Sequence, residues 1–400
     1  MISIKDLAAR VQRIKPSPTL AVSQRVDELI ARGEDIINLG VGEPDFDTPD
    51  HIKKAAIIAI KEGFTKYTAV DGTPGLKQAV IQKFARDNQL NYKPDQILVS
   101  CGAKHSFYNL FSALLNAGDE VIIPAPYWVS YPDIAKIADA VPVIIKADID
   151  QHFKITPAQL EAAITPESRI FVISTPSNPT GIAYTAKELK ALADVLLHYP
   201  NIVIATDDIY EHTLFNPGTF VNILMACPEL YERTVVINGA SKVYAMTGWR
   251  IGYAAGPSKM ISAMKKIQSQ STSNPCSISQ VATEAALNGD QSCITVMTKA
   301  YKERHDYILN VLKQIPGIEC LPSDGTFYAF PNMEAIIKKA SNINNDIELT
   351  EYLLMKAKIA VVPGSAFGMP GYIRISYATS MPKVQEAMKR MKDALAVLYT

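Results

Sequence analysis

Residues 238–253 read NGASKVYAMTGWRIGY and set Lys242 in a loop between two short apolar runs, 234–237 and 251–255. Each run has the length of a buried strand. Glycines flank the lysine, and Arg250 follows eight positions later. A strand end holds such a side chain firmly, and an apolar surround lowers the amine toward the neutral form that attacks carbonyls. The pattern points to Schiff-base chemistry, with Arg250 a natural partner for a phosphate. The competing reading is an ordinary loop lysine with its head in water.

Composition narrows the field. The chain has 400 residues, 48% hydrophobic and 20% charged, in the range of a soluble globular protein. Lys+Arg and Asp+Glu balance at 40 each, so no global field draws in nucleic acid or an anionic membrane. Cys101, Cys227, Cys276, Cys293 and Cys320 are scattered and show no Cys-x-x-Cys spacing. A disulfide framework and a structural zinc are therefore disfavoured, and reduced thiols in a cytoplasmic protein fit better. No metal is expected. No apolar run reaches the ~18–20 residues of a membrane span. The opening MISIKDLAARVQRI has helical spacing with acidic Asp6, lacks a signal-peptide core, and reads as part of the folded protein.

Working outward from Lys242, apolar β-branched runs occupy 96–100, 120–124, 141–145, 169–174, 201–206, 234–237 and 251–255. Helical periodicity fills most gaps, at 104–115, 131–138, 156–163 and 186–198. Near-continuous apolar strands alternating with helices predict an α/β protein whose mainly parallel sheet is covered on both faces. No helix fits between the last two runs, which predicts one antiparallel pair. Beyond a long helical pattern at 293–314, short strands at 318–320, 326–330, 359–362 and 372–377 join helices at 349–356 and 383–398 in a smaller α/β unit.

Ligands of open parallel sheets bind beyond the carboxyl ends of the strands. The first strand ends in Cys101-Gly102-Ala103-Lys104, a turn into a helix whose N–H groups suit a phosphate. A second ends in STPSNPTG, where Asn178 lies between Pro176 and Pro179; an ordinary surface turn is the alternative. A third ends in Thr206-Asp207-Asp208-Ile209-Tyr210. A carboxylate there requires a cationic partner, unless it caps a helix. The fourth delivers Lys242. An anion site, an amide, a carboxylate, a tyrosine and a lysine on successive strand ends suit a pyridine aldehyde with a phosphate arm, pyridoxal 5'-phosphate.

STPSNPTG, TDDIYE, NGASKVYAMTGWRIGY and YIRISYA resemble the signature segments of class I aminotransferases, pyridoxal-phosphate enzymes of fold type I. KPSPTLAV, LGVGEPDFDTP, YTAVDGTPGLK and APYWVSYP resemble their bacterial-type aspartate aminotransferase branch, so the likeness spans the chain. It implies a seven-stranded sheet in a large domain at 48–295. An N-terminal arm at 1–47 and residues 296–400 would build the small domain from both chain ends. Lys242 would carry the cofactor, Asp207 would pair with its pyridinium, and Asn178 and Tyr210 would bond the ring oxygen. Trp128 would stack on the ring, or be a core aromatic. Arg250, Gly102, Ala103 and Lys104 would surround the phosphate, reached by Tyr67 across a homodimer interface. Arg374, read as outward-pointing between Ile373 and Ile375, and the Gly42 backbone would hold the substrate α-carboxylate. A sheet-face salt bridge is the other reading of Arg374, and a turn glycine that of Gly42.

The resemblance implies transamination of L-aspartate with 2-oxoglutarate. Lys104 would approach the distal carboxylate, with phosphate neutralisation as its competing role, near Thr19 and a partner subunit's segment 271–274. Lys15 is matched in relatives to prephenate use, which makes prephenate a second substrate; a solvated lysine is the alternative. Asp208 replaces a common Glu, and Gly239 stands where distant relatives place a phosphate-binding serine. Aromatic aminotransfer or another pyridoxal-phosphate reaction would share the constellation. A nicotinamide dehydrogenase would need Gly-x-Gly-x-x-Gly after a strand, a serine hydrolase Gly-x-Ser-x-Gly, and a DNA-binding regulator a preceding module.

Overall fold

The computed structural model describes residues 7–216, 218 and 220–399. The first six residues of the N-terminal helical pattern, Asp6 included, lie outside them; a short helix follows at Ala9–Gln12.

Seven strands build the central sheet: β1 Ile97–Ser100, β2 Glu120–Ala125, β3 Val141–Lys146, β4 Ser168–Ser174, β5 Val203–Asp207, β6 Thr234–Gly239 and β7 Gly252–Ala255. Their order is β3-β2-β4-β5-β6-β7-β1, parallel except for β7, which runs antiparallel to β6 and β1. The twelve-residue loop between β6 and β7 holds no α-helix that could carry the chain back for a parallel crossover, so the pair is antiparallel.

Side chains alternate across this sheet and both faces are buried. Ile170, Val172, Val235 and Ile237 enter one core, while Phe171, Ile173 and Val236 enter the other. Edge strand β3 buries only Ile145 fully. Helices cover the faces, and local chemistry fixes where they start. At Ala186–Leu197, the Thr185 hydroxyl accepts from the Glu188 N–H at 3.3 Å while the Glu188 carboxylate accepts from the Thr185 N–H at 2.7 Å.

A second core gathers the C-terminal elements around helix Ser292–Leu312 and an antiparallel sheet of Val362–Pro363, Ile373–Ser376 and Tyr328–Ala329. The chain ends meet there: Ile37–Asn38 pairs in parallel with Ile359–Ala360. Helix Ser292–Leu312 runs through the expected division at 295/296, and Cys293 packs against both cores. The run at 318–320 forms no strand; Glu319 makes only an isolated bridge to Asn332. The chain is thus an α/β protein of the mostly parallel, seven-stranded type the sequence predicts.

Candidate active site

The carboxyl ends of β4, β5 and β6 open into a cavity of about 340 Å³. Its lining includes Thr19, Gly42, Ala103, Lys104, Trp128, Asn178, Asp207, Tyr210, Lys242, Arg250 and Arg374. Residues more than 350 positions apart in sequence therefore face one space.

Lys242 projects from the turn after β6, and its Nζ donates to the Gly42 carbonyl at 2.5 Å. Burial pushes its ammonium down to about 8; Arg374 and Arg250 add to this, while Glu43 and Asp207 oppose it. The amine is thereby brought near neutrality, as a nucleophile or general base requires. Asp207 ends β5, 6% exposed. Burial pushes its carboxyl up to about 6, against the Tyr131 hydroxyl and the Ile209 N–H, which favour the charged form. Among the described residues no cation pairs with it, so a buried carboxylate is left facing the cavity.

Arg374 corrects the expectation of an outward-pointing side chain: it is 2% exposed. Its Nη1 donates to Asn178 Oδ1 at 2.9 Å and its Nη2 to the Gly40 carbonyl at 2.7 Å. Its guanidinium lies 4.4 Å from the ring centre of Tyr328, itself part of the cavity wall. Strand Ile373–Ser376 is buried on both faces, which is why the alternation rule misdirects here. The buried Nε of Arg374 has no hydrogen-bond partner among the described residues. A guanidinium has five N–H donors, so it retains capacity for a carboxylate.

The turn at Gly102 has the chemistry of an anion site. Gly102 precedes helix Ala103–Leu114 with φ +90°, and no side chain caps that helix. A Cβ at Gly102 would lie 2.3 Å from Arg250 Nη2. The guanidinium and the first-turn N–H groups thus converge, the geometry that holds a phosphate. Arg250 keeps a left-handed backbone at φ 58° and donates to the Thr247 carbonyl at 2.9 Å. The Lys104 ammonium sits 5.1 Å from the Trp128 ring centre; burial and the nearby Arg250 lower it. A buried acid, a lowered lysine and a phosphate cradle around one cavity suit pyridoxal phosphate.

Two expected residues lie elsewhere. Tyr67 is 91% exposed and lines a separate groove with Asn274 and Pro275. Lys15 is exposed, between Ala9–Gln12 and helix Pro18–Ala31. Conversely, Tyr131, Ser174, Ser241 and Tyr328 join the cavity without having been singled out. For Tyr131 a signal existed: it follows Trp128 by three positions, one helical turn.

Behind Asp207 lies a buried polar cluster. Asp208 accepts from Asn222 Nδ2 and Thr206 Oγ1 at 2.6 Å each. Glu211 is ion-paired with Lys83 and accepts from Asn238 Nδ2 at 2.8 Å, tying the turn after β5 to β6, the strand that leads into the Lys242 loop. Asp87, Glu211 and His212 are close enough to share an ion, but the Lys83 ammonium already occupies Glu211.

Comparison with known proteins shows the family. An aspartate/prephenate aminotransferase of Nitrosomonas europaea is 58% identical over 395 residues, covering 98% of this chain and 100% of the relative. One of Cereibacter sphaeroides is 50% identical over 396 residues, 98% of this chain and 99% of the relative. The crystal structure of an aspartate aminotransferase from Rhizobium meliloti superposes with a TM-score of 0.94 at 46% identity, covering 98% of each chain. The Thermus thermophilus aspartate aminotransferase with maleate gives 0.92 at 39% identity, covering 97% of this chain and 99% of that one. Residues 34–391 match the family model for aminotransferases of class I and II. On a match of that length and relatives this similar over their whole length, the chain belongs to the class I and II aminotransferases.

Proposed function

We propose that the protein is a pyridoxal-phosphate-dependent aminotransferase that moves the amino group of L-aspartate to 2-oxoglutarate. The observation that carries this reading is the convergence of Lys242, Asp207 and Arg374 on one cavity that is also lined by Arg250 and Ala103, beside the Gly102 turn. When bound, the cofactor supplies an electron sink for a carbanion at the substrate α-carbon. Asp207 would hold the ring nitrogen, Asn178 and Tyr210 the ring oxygen, and Trp128 one ring face. Arg250, the Gly102 turn and the N–H groups of Ala103 and Lys104 would hold the phosphate. Arg374 and the Gly42 backbone would fix the α-carboxylate, and Lys242 Nζ would move the proton at the α-carbon.

Aspartate needs a second cation for its distal carboxylate. Lys104 supplies one from the cavity wall, which Thr19 also lines. The Thermus relative was solved with maleate, a four-carbon dicarboxylate. Prephenate is a second substrate on this reading, since relatives named for both aspartate and prephenate are among those most similar, and Lys15 is the residue we connect with it.

A homodimer completes the site. Ile57, Ile58 and Ile60 lie exposed on helix Asp50–Lys61, close in sequence to Tyr67, which shares a groove with Asn274. An apolar face of this kind suits a second copy, into whose site Tyr67 and segment 271–274 would reach. Among the described residues no helix is long and apolar enough to cross a membrane, and the five cysteines are free thiols. A cytoplasmic enzyme is our reading.

The test is the half-reaction. Protein loaded with pyridoxal phosphate and given aspartate alone should lose its yellow absorption as the amino group is transferred, and 2-oxoglutarate should restore it. Parallel assays with prephenate, tyrosine and alanine rank the substrates. Negligible turnover of aspartate sinks the proposed specificity.

A further inference from the structure

Tyr131 follows Trp128 by three positions, in the first turn of helix Ser130–Ile137, and is 2% exposed. Its phenol donates to Asp207 Oδ2 at 2.5 Å. The other carboxylate oxygen, Oδ1, accepts a longer bond from the Ile209 N–H, at 3.3 Å. The phenol ring is fixed on two sides, with Phe107 at 5.0 Å and Trp128 edge-on at 5.2 Å between ring centres. A donor held this rigidly loses little entropy when it makes its bond. One buried side chain therefore links the aromatic wall of the cavity to the acid at its base.

We propose that Tyr131 is a positioning residue that holds Asp207 as a carboxylate, so that the shared proton rests on the ring nitrogen of pyridoxal phosphate. This rests on the cofactor reading given above.

The chemistry has two proton placements. With the proton on nitrogen, Asp207 is an anion paired with a pyridinium. With the proton on Asp207, the ring is neutral and a weaker electron sink. A hydrogen bond donated to the carboxylate favours the first placement. The opposing force is burial, which pushes the Asp207 carboxyl up to about 6 even with the phenol in place. Tyr131 keeps its own proton, since burial and the adjacent Asp207 charge hold its hydroxyl well above its ordinary 10. The net change is thus one proton moving between the ring nitrogen and Asp207, with no other group gaining or losing one.

Tyr131→Phe tests this, because it deletes the hydroxyl and keeps the ring packed on Phe107 and Trp128. Wild type and variant are loaded with pyridoxal phosphate labelled with ¹⁵N in the ring. The wild-type resonance should report a protonated ring, and that of the variant should move toward the unprotonated value. The single-turnover rate with aspartate should fall ~10-fold or more, the scale of a hydrogen bond to a charged group. KM for aspartate should change far less, because Arg374 is untouched. A second variant, Tyr131→His, retains an N–H donor and should keep more of the wild-type resonance and rate than Tyr131→Phe. An unmoved resonance in Tyr131→Phe, or His no better than Phe, overturns the proposal while leaving the aminotransferase reading intact. Wild-type protein that takes up no pyridoxal phosphate overturns both.

Discussion

Arg374 donates to Asn178 Oδ1 at 2.9 Å, joining the small C-terminal sheet to the proline-bounded turn that follows β4. The arginine we propose for the substrate carboxylate is thus held by the residue we propose for the ring oxygen. With its oxygen engaged by Arg374, Asn178 has its amide N–H donors left for the ring oxygen we propose it holds. Arg374→Ala should lower kcat/KM for aspartate by ~10²–10³-fold, the range for losing a two-pronged charged contact. Arg374→Lys should recover little, because an ammonium cannot bond Asn178, Gly40 and a carboxylate with a planar fork. Steady-state kinetics of both variants check this, and near-wild-type kcat/KM in either would count against the role.

Lys242 sets a pH dependence whose sign is fixed by its environment. Its ammonium is lowered from 10.5 to about 8, so the neutral, reactive amine grows as pH rises through that value. Covalent uptake of pyridoxal phosphate by the apoprotein should accelerate from pH 6.5 upward and level off above about 8. Stopped-flow absorbance measures it. Lys242→Ala should abolish borohydride-trapped label and cut transamination by at least ~10²–10⁴-fold, the span of a lost acid–base group.

Gly102 meets two constraints, a φ of +90° and a Cβ position 2.3 Å from Arg250 Nη2. Gly102→Ala should push the guanidinium aside and weaken pyridoxal-phosphate binding by ~10-fold or more, the scale of one charged hydrogen bond. Equilibrium dialysis gives the value. Loss of phosphate-free pyridoxal binding to the same extent would locate the defect elsewhere.

The buried ion pair of Lys83 with Glu211 holds the back of the site together. Burial would raise the Glu211 carboxyl, but Lys83 and His212 outweigh it and hold the group well below its usual range. Lys83→Met should cost ~3–5 kcal/mol by stranding that charge. Lys83→Met combined with Glu211→Leu should cost less than the sum of the single changes, a double-mutant cycle read by urea unfolding.

His212 adds a pH term of opposite sign to that of the nearby acid. Glu211 and Asp87 raise its imidazolium from 6.5 to about 9, against burial. The folded state binds the extra proton, so the stabilisation is complete below 6.5 and is lost as pH rises through 9. Glu211, whose value is lowered, contributes at high pH and loses its contribution in acid. The melting temperature should therefore fall between pH 6.5 and 9, and His212→Gln should flatten that fall.

The strands of the main sheet can be read from the sequence because, apart from edge strand β3, both of their faces are buried. A strand in that position is a continuous apolar run, and its turns announce themselves with glycine, proline and polar residues. The Lys242 loop, Asp207 and Asn178 are legible for the same reason: each interrupts such a run at its carboxyl end. The strand expected at 318–320 fails because Glu319 pairs with one residue only, a long-range fact that local propensity cannot hold.

Sequence alone determined the α/β alternation, the one antiparallel pair and the residue types the chemistry needs, since these follow from local periodicity and from what strand ends expose. Tertiary structure alone decided that Arg374 is buried against Asn178, that Tyr131 bonds Asp207, and that Lys83 neutralises Glu211. Each of those contacts spans more than 70 positions, and in a folded chain such distances are closed only by packing.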